Sequence, residues 1–466
     1  MDLERAGIVT IISRFLSTGI GFVGTIYYAQ ELGSTALGSF FLLQSLVGFL
    51  SIPADVGVQG AIEKRLSEGE NKHRYFSAGL ILLSVSYVIV ALAIIPFSKS
   101  INDYLGMPLF LELLAVLFIT IVYQLFLSSL RGELKIVHSA LLEAVQALST
   151  LLISIILLID GYGVYALVYG LLAGKMLSSV LAIYLLDLSI VVPTTTSFRR
   201  IWDFSKYNTI LRSSGLIYGW ADTLIIGIFL SSSLVAIYEV AWRLSIVSIV
   251  VSGALSTVIF PNFSNLYSDS EIEEISTVTS RALTYVMIIP VGVFFGSLIL
   301  SKEVLGVIYG AEFSAGWLVL ILLTGERLIH AFHEIIYKIT LALDQPDIAF
   351  RYSLLSILMN VILNIMLVPI IGIEGAAIAM ITAYAVNALL YYRHIKNQIP
   401  LQIPFKNIWW ILISGGIMAL TVHYLSHIIQ IDSIVKLSAI ILIGGLVYFL
   451  SILLNSSIRS MWVELS

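Results

Sequence analysis

The sequence contains no cysteine. Disulfides, thiolate nucleophiles, thiolate metal sites and palmitoyl anchors are thereby excluded, and redox chemistry says nothing about the compartment. Charge is also scarce: 12% of the 466 residues are Asp, Glu, Lys or Arg, against about a quarter in an ordinary soluble domain. The net charge is −4 with no basic tail, so nucleic acid is not an expected partner. A nucleotide-binding loop is missing too. The nearest string, GLLAGKM at 170–176, is one residue short between its glycines and has no Ser or Thr after Lys175. Nucleotide hydrolysis by this chain alone is not expected. HAFHE at 330–334 is not the zinc motif HExxH, and no cofactor is implied.

What the chain has is apolar surface. Hydrophobic residues make up 59% of it, and the mean hydropathy is +0.99. No soluble domain of this size sustains that value, and the excess runs from end to end. A bilayer core of about 30 Å needs roughly 20 apolar residues per helix. Fourteen such segments are read at 8–29, 36–61, 76–97, 109–129, 139–159, 164–186, 207–230, 234–260, 281–301, 315–342, 351–371, 373–392, 407–427 and 433–454. They are continuously apolar rather than alternating, which rejects a β-barrel. The start, with acidic residues and Arg14 inside the first apolar run, makes a poor signal peptide and a reasonable first span.

Orientation follows from the basic residues of the connections. With a cytoplasmic N-terminus, sixteen of them fall inside and two, Lys99 and Lys302, outside. The expectation is a multi-pass protein of the cell membrane with both termini cytoplasmic. External connections are about a dozen residues or fewer (98–108 and 302–314 are the longest). A membrane glycan polymerase or ligase would need a sizeable external loop, so the chain is not read as an enzyme.

The longest break, 187–206, holds Pro193, three threonines and two arginines. LGSTALGSFF at 32–41 echoes LSSSLVAIYE at 230–239 with an offset of 198 residues, which sets Arg14 on Arg212. DGYGVYALVYG at 160–170 echoes GIEGAAIAMI at 372–381. Both repeats start from the cytoplasm, so they are parallel. The expected division is a six-helix bundle at 1–186, a cytoplasmic linker at 187–206, a second six-helix bundle at 207–392, and two further helices with a tail at 393–466.

Seven basic residues fall within spans: Arg14, Lys175, Arg212, Arg243, Arg327, Lys338 and Lys436. Acidic residues there include Asp55, Glu112, Glu143, Asp222, Glu239, Glu326 and Glu334. A charge at a helix centre costs about 2.5–3.5 kcal/mol even on the lenient insertion scale. So many imply a hydrated interior. Lys338 and Lys436 lie near span ends, where they snorkel, and Glu239 and Arg243 are spaced to pair. Arg14, Arg212 and Arg327 are read as cavity residues. The tenth span is the densest: Arg327, His330, Glu334 and Lys338 share one helical face, flanked by Glu326 and His333. A polar cavity wall and a proton-responsive histidine both fit. One helix supplies only part of a metal shell, so no metal site is assigned.

Four blocks carry a family resemblance: 32–70, LRGELKIVHSALLEAVQ at 130–146, DTLIIGIFLSSSLVAIYEVAWRLS at 222–245, and VPIIGIEGAAIAMITAY at 368–384. In order and spacing the chain resembles the polysaccharide and lipid-linked oligosaccharide flippases of the multidrug/oligosaccharidyl-lipid/polysaccharide (MOP) exporter superfamily, archaeal members in particular. The resemblance implies an all-α polytopic membrane protein of about fourteen helices: two six-helix bundles in pseudo-twofold relation around a central cavity, plus two C-terminal helices forming a lipid groove. It implies alternating access. The substrate would be a polyprenyl phosphate- or diphosphate-linked oligosaccharide, moved from the cytoplasmic to the outer leaflet for surface polysaccharide or glycoprotein glycan assembly. Arg14, Arg212 and Arg327 would bind its phosphate. Asp55, Asp222, Glu239, Arg243, Glu326, His330, His333 and Glu334 would line the cavity or couple to H⁺ or Na⁺. Membrane lipids and glycosyltransferases are the implied partners. Guanidinium groups hold phosphate bidentately and stay charged when buried. An inside-negative potential of 100 mV favours outward movement of two negative charges by roughly 5 kcal/mol. The rival reading is a cation-coupled multidrug exporter of the same superfamily. It favours an acidic cavity, whereas here the basic set is as large.

Overall fold

The computed structural model describes residues 3–268 and 271–463, with the side chains of Arg14 and of 206–218 among those left outside. No strand occurs among the described residues. Helices α1 (Leu3–Asp55), α2 (Val58–Ser67), α3 (Lys72–Ile94), α4 (Ser98–Leu105), α5 (Phe110–Gly132), α6 (Ile136–Ile159), α7 (Val164–Leu185) and α8 (Thr195–Phe229) are followed by α9 (Ser232–Ile246), α10 (Val250–Ser268), α11 (Ile272–Tyr309), α12 (Trp317–Ala342), α13 (Pro346–Ile371), α14 (Ile373–Lys396), α15 (Phe405–Ile428), α16 (Ile434–Leu453) and α17 (Ser456–Val463).

Twelve helical stretches among the described residues are long and apolar enough to cross a membrane. The first, Phe15–Asp55, carries two of the apolar segments, one on each side of Gly33. Gly33 has φ 73° and ψ 178°, a conformation that breaks the helix and that only glycine adopts readily. The seventh segment lies in α8, so every one of the fourteen falls on helix.

By contacts the chain forms two units, Met1–Ala236 and Ile237–Ser466. In the first, α8 packs along α1, α2 and α3. The two strings that echo each other in sequence touch there: the Ser34 and Ser233 hydroxyls share a 2.6 Å hydrogen bond, and a Cβ on Gly38 would strike the Ser232 backbone. Helices α6 and α7 approach through Gly170, Gly174 and Ser178, spaced every four residues. A Cβ at Gly170 would collide with the Ser154 hydroxyl, and one at Gly174 with that of Thr150. Ser178 Oγ donates to Leu142 O at 3.2 Å. Lipid offers no hydrophobic drive for helix association, so such small-residue stripes supply the packing. GLLAGKM is therefore part of a helix interface.

Of the expected linker 187–206, residues 187–194 lie strapped to helices of the first unit and the rest is helix in α8. Asp187 N donates to Glu133 Oε2 at 3.3 Å, Ser189 N to His73 Nδ1 at 3.0 Å, and Val191 N to Ser77 Oγ at 2.9 Å. Alternate amides of an extended segment are thus satisfied by side chains of α3 and of the α5–α6 turn. Lys135 ties down the start, with Nζ 2.6 Å from Asp187 Oδ2 and 2.7 Å from Leu185 O.

In the second unit α12 packs against α10, α11 and α14, around Ala331, Ile335, Ile336, Ile339 and Tyr391. Helices α15 and α16 pack on α11 through Met418, Val422, Ile440 and Tyr448. Tyr448 Oη donates to Ile288 O at 2.6 Å.

The backbone carries the internal repeat more clearly than the sequence does. Leu134 and Asp344, 210 residues apart, are both left-handed (φ 61° and 56°). Each closes a helix with the same pair of bonds: Leu134 N to Arg131 O and Lys135 N to Leu130 O, then Asp344 N to Leu341 O and Gln345 N to Thr340 O. Gly163 (φ 56°, ψ −134°) and Gly372 (φ 70°, ψ −148°) open α7 and α14 in the same unusual conformation.

Candidate functional site

The polar stripe of the tenth span lies on α12, inside the second unit. Arg327 is 4% exposed and Glu326 0%, and they form an ion pair with Arg327 Nη1 2.9 Å from Glu326 Oε2. Arg327 Nε donates to Ser245 Oγ of α9 at 3.2 Å. Its Nη2 group has no hydrogen-bond partner among the described residues. One turn on, His330 and His333 meet tyrosines of α14: the His330 and Tyr384 rings are 5.0 Å apart, and His333 lies 5.6 Å from Tyr384 and 5.3 Å from Tyr391. Neither nitrogen of His333 has a hydrogen-bond partner among the described residues, nor does Nδ1 of His330. Glu334 accepts from Ser256 Oγ of α10 at 3.5 Å and lies 3.7 Å from Lys338 Nζ. The stripe thus meets α9 and α10 through polar contacts at its two ends and α14 through ring contacts between them.

The other sequence-based candidates are distributed elsewhere. Glu239 and Arg243 pair on α9 at 3.4 Å, as their spacing suggested, with Glu239 buried. Asp222 is 4% exposed within α8. Asp55 ends α1, and its Oδ1 accepts from Gln59 N at 3.0 Å, closing the break between α1 and α2. The side chains of Arg14 and Arg212 lie outside the described residues. Among the described residues no cluster of three or more His, Asp or Glu is placed to hold a metal ion.

Lys175, named in the sequence as a basic residue within a span, has partners that the sequence did not show: its Nζ donates to Thr120 Oγ1 at 2.9 Å and sits 5.7 Å from the centre of the Tyr123 ring. The structure also has an apolar cavity of about 300 Å³ in the second unit. It is walled by Gly292, Gly296 and Leu300 of α11, Met418 of α15, and Gly444, Gly445 and Tyr448 of α16. Gly445 has open space at its Cβ position, whereas Gly292 and Gly444 are packed on Tyr448 and Val422. At the strap, outside the spans, the Lys135 hydrogen bond and charge hold the Asp187 carboxyl below the usual range.

A model of the polysaccharide biosynthesis protein family matches residues 29–316. The chain is 34% identical to a Haloferax volcanii protein named "Probable low-salt glycan biosynthesis flippase Agl15", over 98% of this chain and 97% of the relative. The chain belongs to the polysaccharide biosynthesis protein family. The four sequence blocks had pointed to proteins of polysaccharide assembly, and the family model and this relative agree. A second Haloferax volcanii relative of this family, "Probable flippase AglR", is 30% identical over 98% of this chain and 97% of its own length. Among solved structures, the lipid II flippase MurJ in an inward closed conformation superposes with a TM-score of 0.81 at 19% identity, covering 96% of this chain and 98% of its own. An inward-facing multidrug resistance MATE family transporter of the MOP superfamily gives 0.68 at 17% identity, covering 84% of this chain and 98% of its own. At those identities the two structures establish the shared exporter fold.

Proposed function

We propose that this protein is a flippase. It moves a polyprenyl phosphate- or diphosphate-linked oligosaccharide from the cytoplasmic to the outer leaflet of the cell membrane by alternating access. The observation that carries the reading is the 34% identity to a glycan biosynthesis flippase along almost the whole of both chains. Two features of the second unit support it. Arg327 keeps an amino group without a partner beside its bond to Glu326, a donor suited to phosphate oxygen. The apolar cavity between α11 and α16 suits a prenyl chain. Arg14 and Arg212 complete the phosphate set in this reading, with Asp55, Asp222, Glu239, Arg243, His330, His333 and Glu334 in lining or coupling roles. Glycosyltransferases supply the substrate, and both termini are cytoplasmic. Likeness to the MATE transporter is one of fold alone, so the multidrug reading has no observation of its own here. The test is cellular. Cells depleted of this protein should accumulate the lipid-linked oligosaccharide on the cytoplasmic face, where impermeant glycosidase cannot reach it until the membrane is opened. Unchanged precursor levels and sidedness would count against the proposal.

A further inference from the structure

Lys175 sits halfway along α7, a helix long and apolar enough to cross a membrane. Its amino group meets a hydroxyl and an aromatic ring. No carboxylate among the described residues lies within ion-pair distance. The described titratable groups on the helices packed against α7 are Glu112, Tyr123 and Arg131 on α5, His138 and Glu143 on α6, and Tyr27, Tyr28, Glu31 and Asp55 on α1. Three of the carboxylates are engaged elsewhere: Glu143 lies 3.8 Å from Arg131 Nη1, Glu112 accepts from the Tyr169 hydroxyl at 3.4 Å, and Asp55 accepts from Gln59 N at 3.0 Å. The Tyr123 hydroxyl is buried without a hydrogen-bond partner. The place is built rather than accidental. Gly174, pressed on Thr150 and the Gln146 carbonyl, fixes the rotation of α7 that turns the next residue toward α5.

The internal repeat gives an independent reason to single out this spot. The offset of 210 residues that relates Leu134 to Asp344 also relates Thr120 to His330 and Tyr123 to His333. The offset of 209 that relates Gly163 to Gly372 relates Lys175 to Tyr384. The Lys175 contact with Thr120 and Tyr123 therefore has its equivalent in the Tyr384 contact with His330 and His333. Each unit places a protonatable nitrogen group between the same two helices of the repeat.

We propose that Lys175 is a proton-binding site of the transport cycle, the first unit's equivalent of the histidine–tyrosine centre in the second. Lysine gives up its proton on losing water, which arginine does not. Packed against Thr120 and Tyr123 the amine has no carboxylate within ion-pair distance to hold its proton. It takes a proton when the cycle opens that contact to water. The inference rests on the flippase reading for its meaning, and its test separates the two.

The protein is reconstituted as wild type, Lys175→Met (fixed neutral) and Lys175→Arg (fixed cation). Flipping of a fluorescent polyprenyl-linked oligosaccharide is driven by a pH gradient at zero potential, or by a potential at equal pH. Wild type should respond to the gradient, by up to about tenfold per pH unit for one proton per cycle. Both variants should lose that response and keep the response to potential. A variant that retains the wild-type gradient response overturns the proposal, and so does a wild type that answers to potential alone. A second readout needs no substrate: unfolding temperature against pH, between pH 5.5 and 9, in detergent. A step present in wild type and absent from both variants supports the site, even if no flipping is seen. Superimposable profiles overturn it, and Thr120→Val, which removes only the hydroxyl, should displace the step without abolishing it.

Discussion

Glu326→Gln is the substitution whose cost the structure defines best. Arg327 is 4% exposed, Glu326 is fully buried, and the pair is closed at 2.9 Å. Removing one partner of a buried pair strands the other charge, at about 3–5 kcal/mol. Glutamine keeps a neutral acceptor worth about 1 kcal/mol, so Glu326→Gln should lose roughly 2–4 kcal/mol. Glu326→Leu should lose the full amount. Removing both charges together, as Glu326→Leu with Arg327→Met, should be close to neutral or up to about 4 kcal/mol more stable than wild type. The assay is thermal unfolding of the purified protein in detergent at fixed pH. The expected order of unfolding temperature places wild type and the double variant together, Glu326→Gln below them, and Glu326→Leu lowest. Single variants that unfold at the wild-type temperature would show that the pair is not what holds Arg327. A double variant as unstable as Glu326→Leu would refute the stranded-charge reasoning.

Three further outcomes follow from particular contacts. Gly445 has open space around its Cβ position in the apolar cavity, so Gly445→Phe should fill the cavity, leave the unfolding temperature unchanged and slow flipping; undiminished flipping would remove the cavity from the substrate path. Asp187 has its carboxyl held below the usual range by Lys135, so the bridge contributes above the ordinary carboxylate pKa of about 3.9 and is lost as pH falls through the lower folded value. The stability difference between wild type and Asp187→Asn should therefore be present at pH 7 and begin to fall only below about pH 4, and a difference that grows on acidification would contradict the bridge. On the cysteine-free background, the exposed positions Asp103 and Glu70 report topology: Asp103→Cys should react with an impermeant thiol reagent from outside and Glu70→Cys should not, while the reverse would invert the orientation.

The spans were legible because the apolar runs are continuous and the few breaks, such as Gly33, carry turn chemistry. The repeat was legible only as two faint echoes, because lipid-facing positions constrain hydrophobicity and not identity. What repeats well is backbone conformation at Leu134 and Asp344, which neither side chain announces. The Glu239–Arg243 pair followed from helical spacing and was found at 3.4 Å. The Glu326–Arg327 pair did not, since adjacent residues point apart on a helix. Ser245, which helps hold Arg327, lies 82 residues away in sequence. Nothing in the sequence marks Tyr384 and Tyr391 as partners of the histidines; the packing of α14 against α12 does. The contact of the Asp55 carboxylate with the Gln59 amide depends on the break between α1 and α2, which its sequence position did not reveal. The partner of Lys175 was hidden because Thr120 lies 55 residues away in sequence.

The central claim is tested most directly in liposomes containing only this protein and a fluorescent polyprenyl-linked oligosaccharide. An impermeant glycan-cleaving enzyme is added outside after the protein has been allowed to equilibrate substrate between leaflets. The account predicts that wild-type protein lets the enzyme reach nearly all of the substrate within minutes, that protein-free vesicles leave about half protected, and that Arg327→Met behaves like protein-free vesicles. Wild-type vesicles that protect half of the lipid-linked oligosaccharide while accumulating an organic cation would contradict it.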